Sequence, residues 1–161
     1  NLMQIAYLAD HPQHIPTVAH WQYEEWGHFN PGDSVQGRIE RLSQHTGRPG
    51  LPTTLIALAH DTVLGSAGLV VNDLRSQPEL TPFLASVYVA PAYRRRGVAT
   101  ALVTQAKVAI QQLGLPVLYL ITPDQQPLYA RLGWQAQGEV EYRGEVVTLM
   151  VVTLAPAGTG A

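Results

Sequence analysis

The chain contains no cysteine. That excludes disulfides, thiolate metal sites and a cysteine nucleophile. Charged residues are scarce at 14%, against 46% hydrophobic, so a long disordered segment is not expected. The formal net charge is only −2, which argues against a general nucleic-acid binder, since those are usually clearly basic. No apolar run approaches the length of a membrane span. The start, NLMQIAYLAD, lacks a basic segment followed by a long apolar one, so no secretory leader is expected and the cytoplasm is the expected location. Metal ligands are sparse too. His11 and His14 stand three apart near a helix start, but Pro12 intervenes and no third ligand is close in sequence, so no metal is expected.

What is present is a sequence of short alternating and helical patterns. Residues 4–9 alternate as a strand. Ile15, Val18, Ala19, Tyr23 and Trp26 fall at helical spacing, with Gly27 as a stop. Residues 34–44 predict a second helix, capped by Ser34 or Asp33, with Ile39 and Leu42 inward. Residues 54–59 and 63–71 predict a hairpin turning at residues 60–62. FLASVYVAP is a strand ended by Pro91. From Gly97 onward Val98, Leu102, Ala106, Ala109, Ile110 and Leu113 line one face of a long helix that Gly114 ends. PVLYLIT predicts a buried strand, QQPLYARLG a short helix, and residues 134–142 and 145–154 a last hairpin around Arg143 and Gly144. The strand–helix–strand unit across residues 83–122 makes those two strands parallel neighbours through a right-handed crossover. The order predicts an α/β domain over residues 3–154, with a mixed sheet covered by helices, and a mobile tail over 155–161.

The run YRRRGVATALV concentrates three arginines directly before the long helix. A helix N-terminus offers unpaired N–H groups and roughly half a positive charge. Gly97 lets backbone approach a ligand closely, and arginines add charge-assisted contacts. Together these suit a phosphate group, so the positive charge is local because its partner is a compact anion. Taken alone, the run also fits a solvated basic turn ahead of a helix.

VYVAPAYRRRGVATALV resembles the acetyl-CoA-binding motif of the GNAT acetyltransferases, whose Arg/Gln-x-x-Gly-x-Gly/Ala core is matched by Arg94, Gly97 and Ala99. LYARLGW, residues 128–134, is similar to that family's second signature. The resemblance implies the GNAT fold: a mostly antiparallel sheet of six to seven strands, a splayed parallel pair, and about four flanking helices. It implies that the pantetheine arm of acetyl-CoA inserts between the splayed strands and pairs with backbone at Val87, Tyr88 and Val89, where Val87 or a neighbour polarises the thioester carbonyl. It implies that amides of Arg95, Arg96, Gly97, Val98, Ala99 and Thr100 hold the pyrophosphate. Which of Arg94, Arg95 and Arg96 touches which phosphate is left open. Tyr129 matches a tyrosine that lies near the CoA sulfur and would act as general acid.

Two positions depart from the family pattern. Thr122 stands where many relatives carry an asparagine that contacts pantetheine. The strand ahead of the loop holds no carboxylate, so the base is open among Glu24, Glu25, His28, Asp73 and water. The acceptor site is expected between the first two helices and the last hairpin, with Trp21, Tyr23, Trp26, Phe29 and Tyr142 as walls and Glu25 beside them. The expected activity is transfer of acetyl from acetyl-CoA, without a metal, to a primary amine on a small molecule or peptide N-terminus, directly within a ternary complex. TPDQQPLYARLGWQ and the loop before VYVAP resemble the branch containing the actin N-terminal acetyltransferase, which favours a peptide N-terminus. The alternative is a non-catalytic acyl-CoA sensor on the same fold. The expected partners are acetyl-CoA and an amine, with neither nucleic acid nor membrane, in a monomer or homodimer.

Overall fold

The computed structural model describes residues 3–156; the tail expected to be mobile lies outside the described residues from position 157 on. Its order is β1 (Met3–Tyr7), α1 (Ile15–Trp26), α2 (Val35–Leu42), β2 (Thr53–Ala59), β3 (Thr62–Val70), β4 (Phe83–Val89), α3 (Val98–Gln112), β5 (Val117–Thr122), α4 (Gln126–Arg131), β6 (Gln135–Tyr142) and β7 (Glu145–Thr153). The seven strands form one sheet in the order β1-β2-β3-β4-β5-β7-β6. Only β4 and β5 run parallel; every other neighbouring pair is antiparallel.

Two faces bury different halves of the core. On one, α3 lays Val98, Leu102, Ala106, Ala109 and Ile110 against Leu55, Ala57, Leu84, Leu118 and Met150. This is the helical stripe that the sequence predicts. On the other, α1 and α2 pack Val18, Ala19 and Leu42 against Ile56, Leu58 and Val63. The loop after β3 covers the rest of that face, with Leu74 against Phe83 and Leu149. Asn72 winds this loop by donating to the carbonyls of Gln77 and Leu80 and accepting from Leu74 N–H.

The first strand ends earlier than its alternation predicts. Pairing with β2 stops at Tyr7↔Leu55, and residues 8–10 turn into a 3₁₀ segment. Leu8 is drawn into the cluster under α1 and α2 instead, so burial overrides the strand pattern. The second helix is capped as expected: Ser34 Oγ accepts from Gly37 N–H at 2.9 Å. Asp33 at its start holds Arg38 (2.7 Å) and Arg41 (3.2 Å). Burial raises the Asp33 pKa, but both arginines and the Ser34 N–H outweigh it, leaving the carboxyl below its ordinary value. Arg38 also reaches Gln22 of α1, which ties the two helices together beside the loop joining them.

Candidate functional site

β4 and β5 share a single registered pair, Phe83↔Tyr119, reinforced by Tyr119 N–H donating to the Pro82 carbonyl at 3.0 Å. Beyond it the strands continue to Val89 and Thr122 without further pairing. They therefore splay towards their C-terminal ends, where ligands bind in open α/β sheets. A bulge shapes β4 at this point: Ser66 pairs with Tyr88 and Gly68 with Ala85, so Ala67 faces both Ser86 and Val87. Ser86 takes a left-handed conformation, φ 56°, which re-aims the strand. Ala90 N–H donates to the Leu64 carbonyl. Alternation of an antiparallel ladder then turns the Tyr88 backbone towards β3 and the Val89 N–H and carbonyl away from it, into the splay.

Past Val89 the chain makes a 3₁₀ turn at Pro91–Tyr93 and reaches α3 through Arg94, Arg95 and Arg96. Arg95 (φ 66°) and Gly97 (φ 80°) are both left-handed. Such reversals of hand curl successive N–H groups into a concave, anion-accepting nest. Gly97 is the N-cap of α3, no side chain caps the helix, and a Cβ at Gly97 would meet nothing within 4 Å. The nest is thus open to solvent, and the N–H groups of Val98, Ala99 and Thr100 remain free of helix partners. This open backbone cradle, with the Val89 N–H turned into the splay beside it, fits an elongated phosphate ester.

Arg94 does something the sequence does not reveal. Its Nε donates to the Val89 carbonyl at 2.8 Å, and its guanidinium lies 5.5 Å over the Tyr88 ring. Tyr88 in turn packs on Trp21 (5.3 Å) and edge-on to Trp26 (6.3 Å) of α1. The side chain of Tyr88 therefore belongs to the aromatic wall on the α1 face. The period-two alternation signals it, since Val87 and Val89 pack with the α3-side core.

Tyr129 sits on α4 below the splay, 6% exposed, with Trp134 edge-on at 5.8 Å. Its hydroxyl has no hydrogen-bond partner among the described residues. Burial pushes its pKa up to about 12, so the phenol is protonated at any physiological pH. Thr122 is buried, and its Oγ1 accepts from Gln125 N–H at 3.0 Å. It thereby fixes the turn that launches α4; its own O–H remains as a donor.

On the α1 face, Trp26 reaches Tyr88, while Phe29 is 38% exposed and lies against His28. Tyr142 carries the Arg143 guanidinium on its ring at 5.3 Å, and Arg143 donates to Asn30 Oδ1. The last hairpin thus reaches the segment after α1, bringing Tyr142 and Phe29 to the same side. Glu25 is exposed, Glu24 pairs with His20 on the outer surface of α1 at 3.0 Å, and Tyr23 covers Gly27. Asp73 is different. Burial raises its pKa to about 6, and Arg143 nearby works in the opposite direction. Of the carboxylates expected as base, Glu24 and Glu25 are exposed and Asp73 is half-buried, with Arg143 of the last hairpin near it. Two shallow hollows of ≈ 320 Å³ lie elsewhere, one between β6 and the loop after β3, the other on α1 at Pro16, Thr17, His20 and Trp21. Among the described residues no cluster of His, Asp and Glu could hold a metal, and no helix is long and apolar enough to cross a membrane.

The seven-stranded, mostly antiparallel sheet with its one parallel pair and four helices is the GNAT fold. The chain belongs to the acetyltransferase (GNAT) family, whose model matches residues 15–134. Its fold is similar to that of an aminoglycoside 6'-N-acetyltransferase complexed with coenzyme A, at 14% identity and TM-score 0.75, covering 95% of this chain and 98% of that one. It is similar to yncA from Salmonella typhimurium, solved with its cofactor acetyl-CoA: 18% identity, TM-score 0.75, covering 100% and 99%. It is also similar to the ribosomal-protein-S18-alanine N-acetyltransferase from Escherichia coli: 19% identity, TM-score 0.67, covering 99% of each. No curated protein sequence matches the chain, and the comparisons show the GNAT family without showing the actin N-terminal acetyltransferase branch.

Proposed function

We propose that the chain is an acetyl-CoA-dependent N-acetyltransferase that acts on a primary amine by direct transfer in a ternary complex. The observation that carries this reading is the pairing of β4 and β5 through Phe83 and Tyr119 alone, which opens a slot lined by unpaired backbone directly beside the nest at residues 94–97. Bound there, acetyl-CoA supplies the acetyl thioester. Val89 and, at the bulge, Val87 hold the pantetheine arm by main-chain hydrogen bonds, whereas the Tyr88 backbone expected to join them is paired to Ser66 of β3 instead, and the amides of residues 95–100 with the three arginines hold the pyrophosphate. The Val87 N–H, at the bulge, polarises the reacting carbonyl.

Tyr129 donates its hydroxyl proton towards the departing sulfur. With a pKa of about 12 against about 8.5 for a thiol, the phenol stabilises the thiolate through a hydrogen bond rather than by complete transfer. Its unpartnered hydroxyl supports this role. Thr122 keeps the Tyr129 helix in position and offers its O–H to pantetheine. The amine enters from the α1 face, between Trp26, Glu25 and Phe29 on one side and Tyr142 on the other. Asp73 is the base we favour, because it is the carboxylate whose surroundings raise its proton affinity. A peptide N-terminus is the acceptor that the resemblance to the actin branch favours. The absence of a carboxylate on β4 supports the second reading, a non-catalytic acyl-CoA sensor.

Thermal unfolding with acetyl-CoA tests the cofactor assignment. At 100 times its dissociation constant the ligand adds about 2.7 kcal/mol, a Tm rise of roughly 5–10 °C for this length. An unchanged Tm at millimolar acetyl-CoA would remove the assignment.

A further inference from the structure

Arg94 joins two parts of the molecule that the proposed reaction uses separately. Its Nε is bonded to the Val89 carbonyl, which faces the splay. Its guanidinium covers a face of Tyr88, and that ring packs on Trp21 and Trp26 in the acceptor wall. We propose that Arg94 is a positioning residue that caps the Tyr88 ring until acetyl-CoA arrives, so that cofactor binding uncovers an aromatic face for the acceptor's ammonium. The inference rests on the reading of the splay as the pantetheine slot.

One guanidinium has competing partners. It holds the neutral Val89 carbonyl and a face of the Tyr88 ring. A pyrophosphate in the nest at residues 94–97 offers charged oxygens close by. The bond to the Val89 carbonyl has one charged partner, whereas a phosphate oxygen adds an opposite charge and takes the guanidinium in bidentate fashion, so the guanidinium turns to the phosphate. The same event brings a pantetheine amide to the Val89 carbonyl that Arg94 vacates. Both changes pull Arg94 off Tyr88. The ring face it leaves suits a cation, because the quadrupole of an aromatic ring attracts an ammonium within about 6 Å of its centroid. Tyr88 already holds one cation at that range, and Trp21 and Trp26 fix the ring plane. Coupling of this kind makes amine affinity depend on cofactor occupancy through a named contact. It gives Tyr88 a recognition role through its side chain, while its backbone stays on the β3 ladder.

The test reads tryptophan emission during titration with acetyl-CoA, alongside thermal unfolding, in the wild type and in Arg94→Met and Arg94→Lys. In the wild type, emission should change saturably with the same midpoint as the Tm rise. Arg94→Met should bind acetyl-CoA roughly tenfold more weakly, for loss of one charged contact, and should lose most of the emission change even at saturation. Arg94→Lys, which keeps the cation, should restore part of it. Trp134 beside Tyr129 contributes equally in all three proteins, so the differences report Trp21 and Trp26. Full emission change in saturated Arg94→Met would overturn the proposal. So would a wild-type Tm rise with no emission change, which leaves the cofactor reading standing. No Tm rise would remove the cofactor reading and this coupling with it.

Discussion

Phe83 of β4 and Tyr119 of β5 stack with ring centroids 5.6 Å apart, at the one registered pair of the parallel strands. The hinge of the splay is thus an aromatic clasp on the face opposite α3. Phe83 is the first residue of β4, and past it the two strands part and the slot opens.

Removing the clasp should destabilise the fold. Phe83 is fully buried, and truncation of a buried phenylalanine costs about 3–5 kcal/mol. Phe83→Ala should lower Tm by roughly 10 °C or more, read by thermal unfolding. Loss of acetyl-CoA binding in Phe83→Leu at a temperature where it is still folded would tie the clasp to the slot.

Tyr129→Phe separates chemistry from binding. The change removes one hydroxyl and keeps the packing against Trp134. Turnover should fall about 100-fold, while acetyl-CoA affinity moves less than about threefold, measured by steady-state kinetics and thermal shift. Burial holds the folded pKa near 12, above the usual 10.0. The phenol thus adds stability that is fully present below pH 10 and lost as pH rises through 12. Denaturant unfolding of the wild type should weaken across that window more steeply than that of Tyr129→Phe.

Asp73 titrates near 6 in the folded protein against an ordinary 3.8. The folded state therefore binds more protons between those values. Its contribution to stability is complete below pH 3.8 and is lost as pH rises through 6. Asp73→Asn should flatten stability against pH in that window and raise Tm by several degrees at pH 7. If Asp73 is the base, the same variant should slow acetyl transfer at pH 7 and remove the acid limb of kcat.

Gly97 needs its left-handed φ of 80° more than it needs space, since a Cβ there meets no protein atom. Gly97→Val should cost about 1–2 kcal/mol of strain and abolish acetyl-CoA binding, because the branched side chain projects into the nest. Gly97→Asn tolerates the conformation better and should keep more stability than Gly97→Val. A thermal-shift series with acetyl-CoA distinguishes the two.

Much of this was legible from residue patterns. The stripe from Val98 to Ile110 predicts α3 and its buried face, because a 3.6-residue period admits no other arrangement for so long a run. The run at Arg94, Gly97 and Ala99 marks the nest, because a glycine before a helix is a local backbone requirement. Tertiary features were not legible. Nothing near Asp73 in sequence announces its burial, which arises where the loop after β3 meets the tip of the last hairpin. The bulge at Ser86 is set by pairing with β3, whose Gly65 and Gly68 flank it and let the β4 carbonyls approach closely, and β4 itself carries no glycine to announce it. The motif singles out Arg94, but its bond to Val89 and its place over Tyr88 come from the fold and leave no mark in the sequence.

Thiol release is the most direct test of the central claim. The protein is incubated with acetyl-CoA and a panel of primary amines and short peptides with free N-termini, and free CoA thiol is followed over time. The account predicts release that requires an amine, matches acetylated acceptor one for one by mass spectrometry, and slows about 100-fold in Tyr129→Phe. Saturable acetyl-CoA binding with no amine-dependent release from any acceptor would contradict it and make the chain a sensor of acyl-CoA.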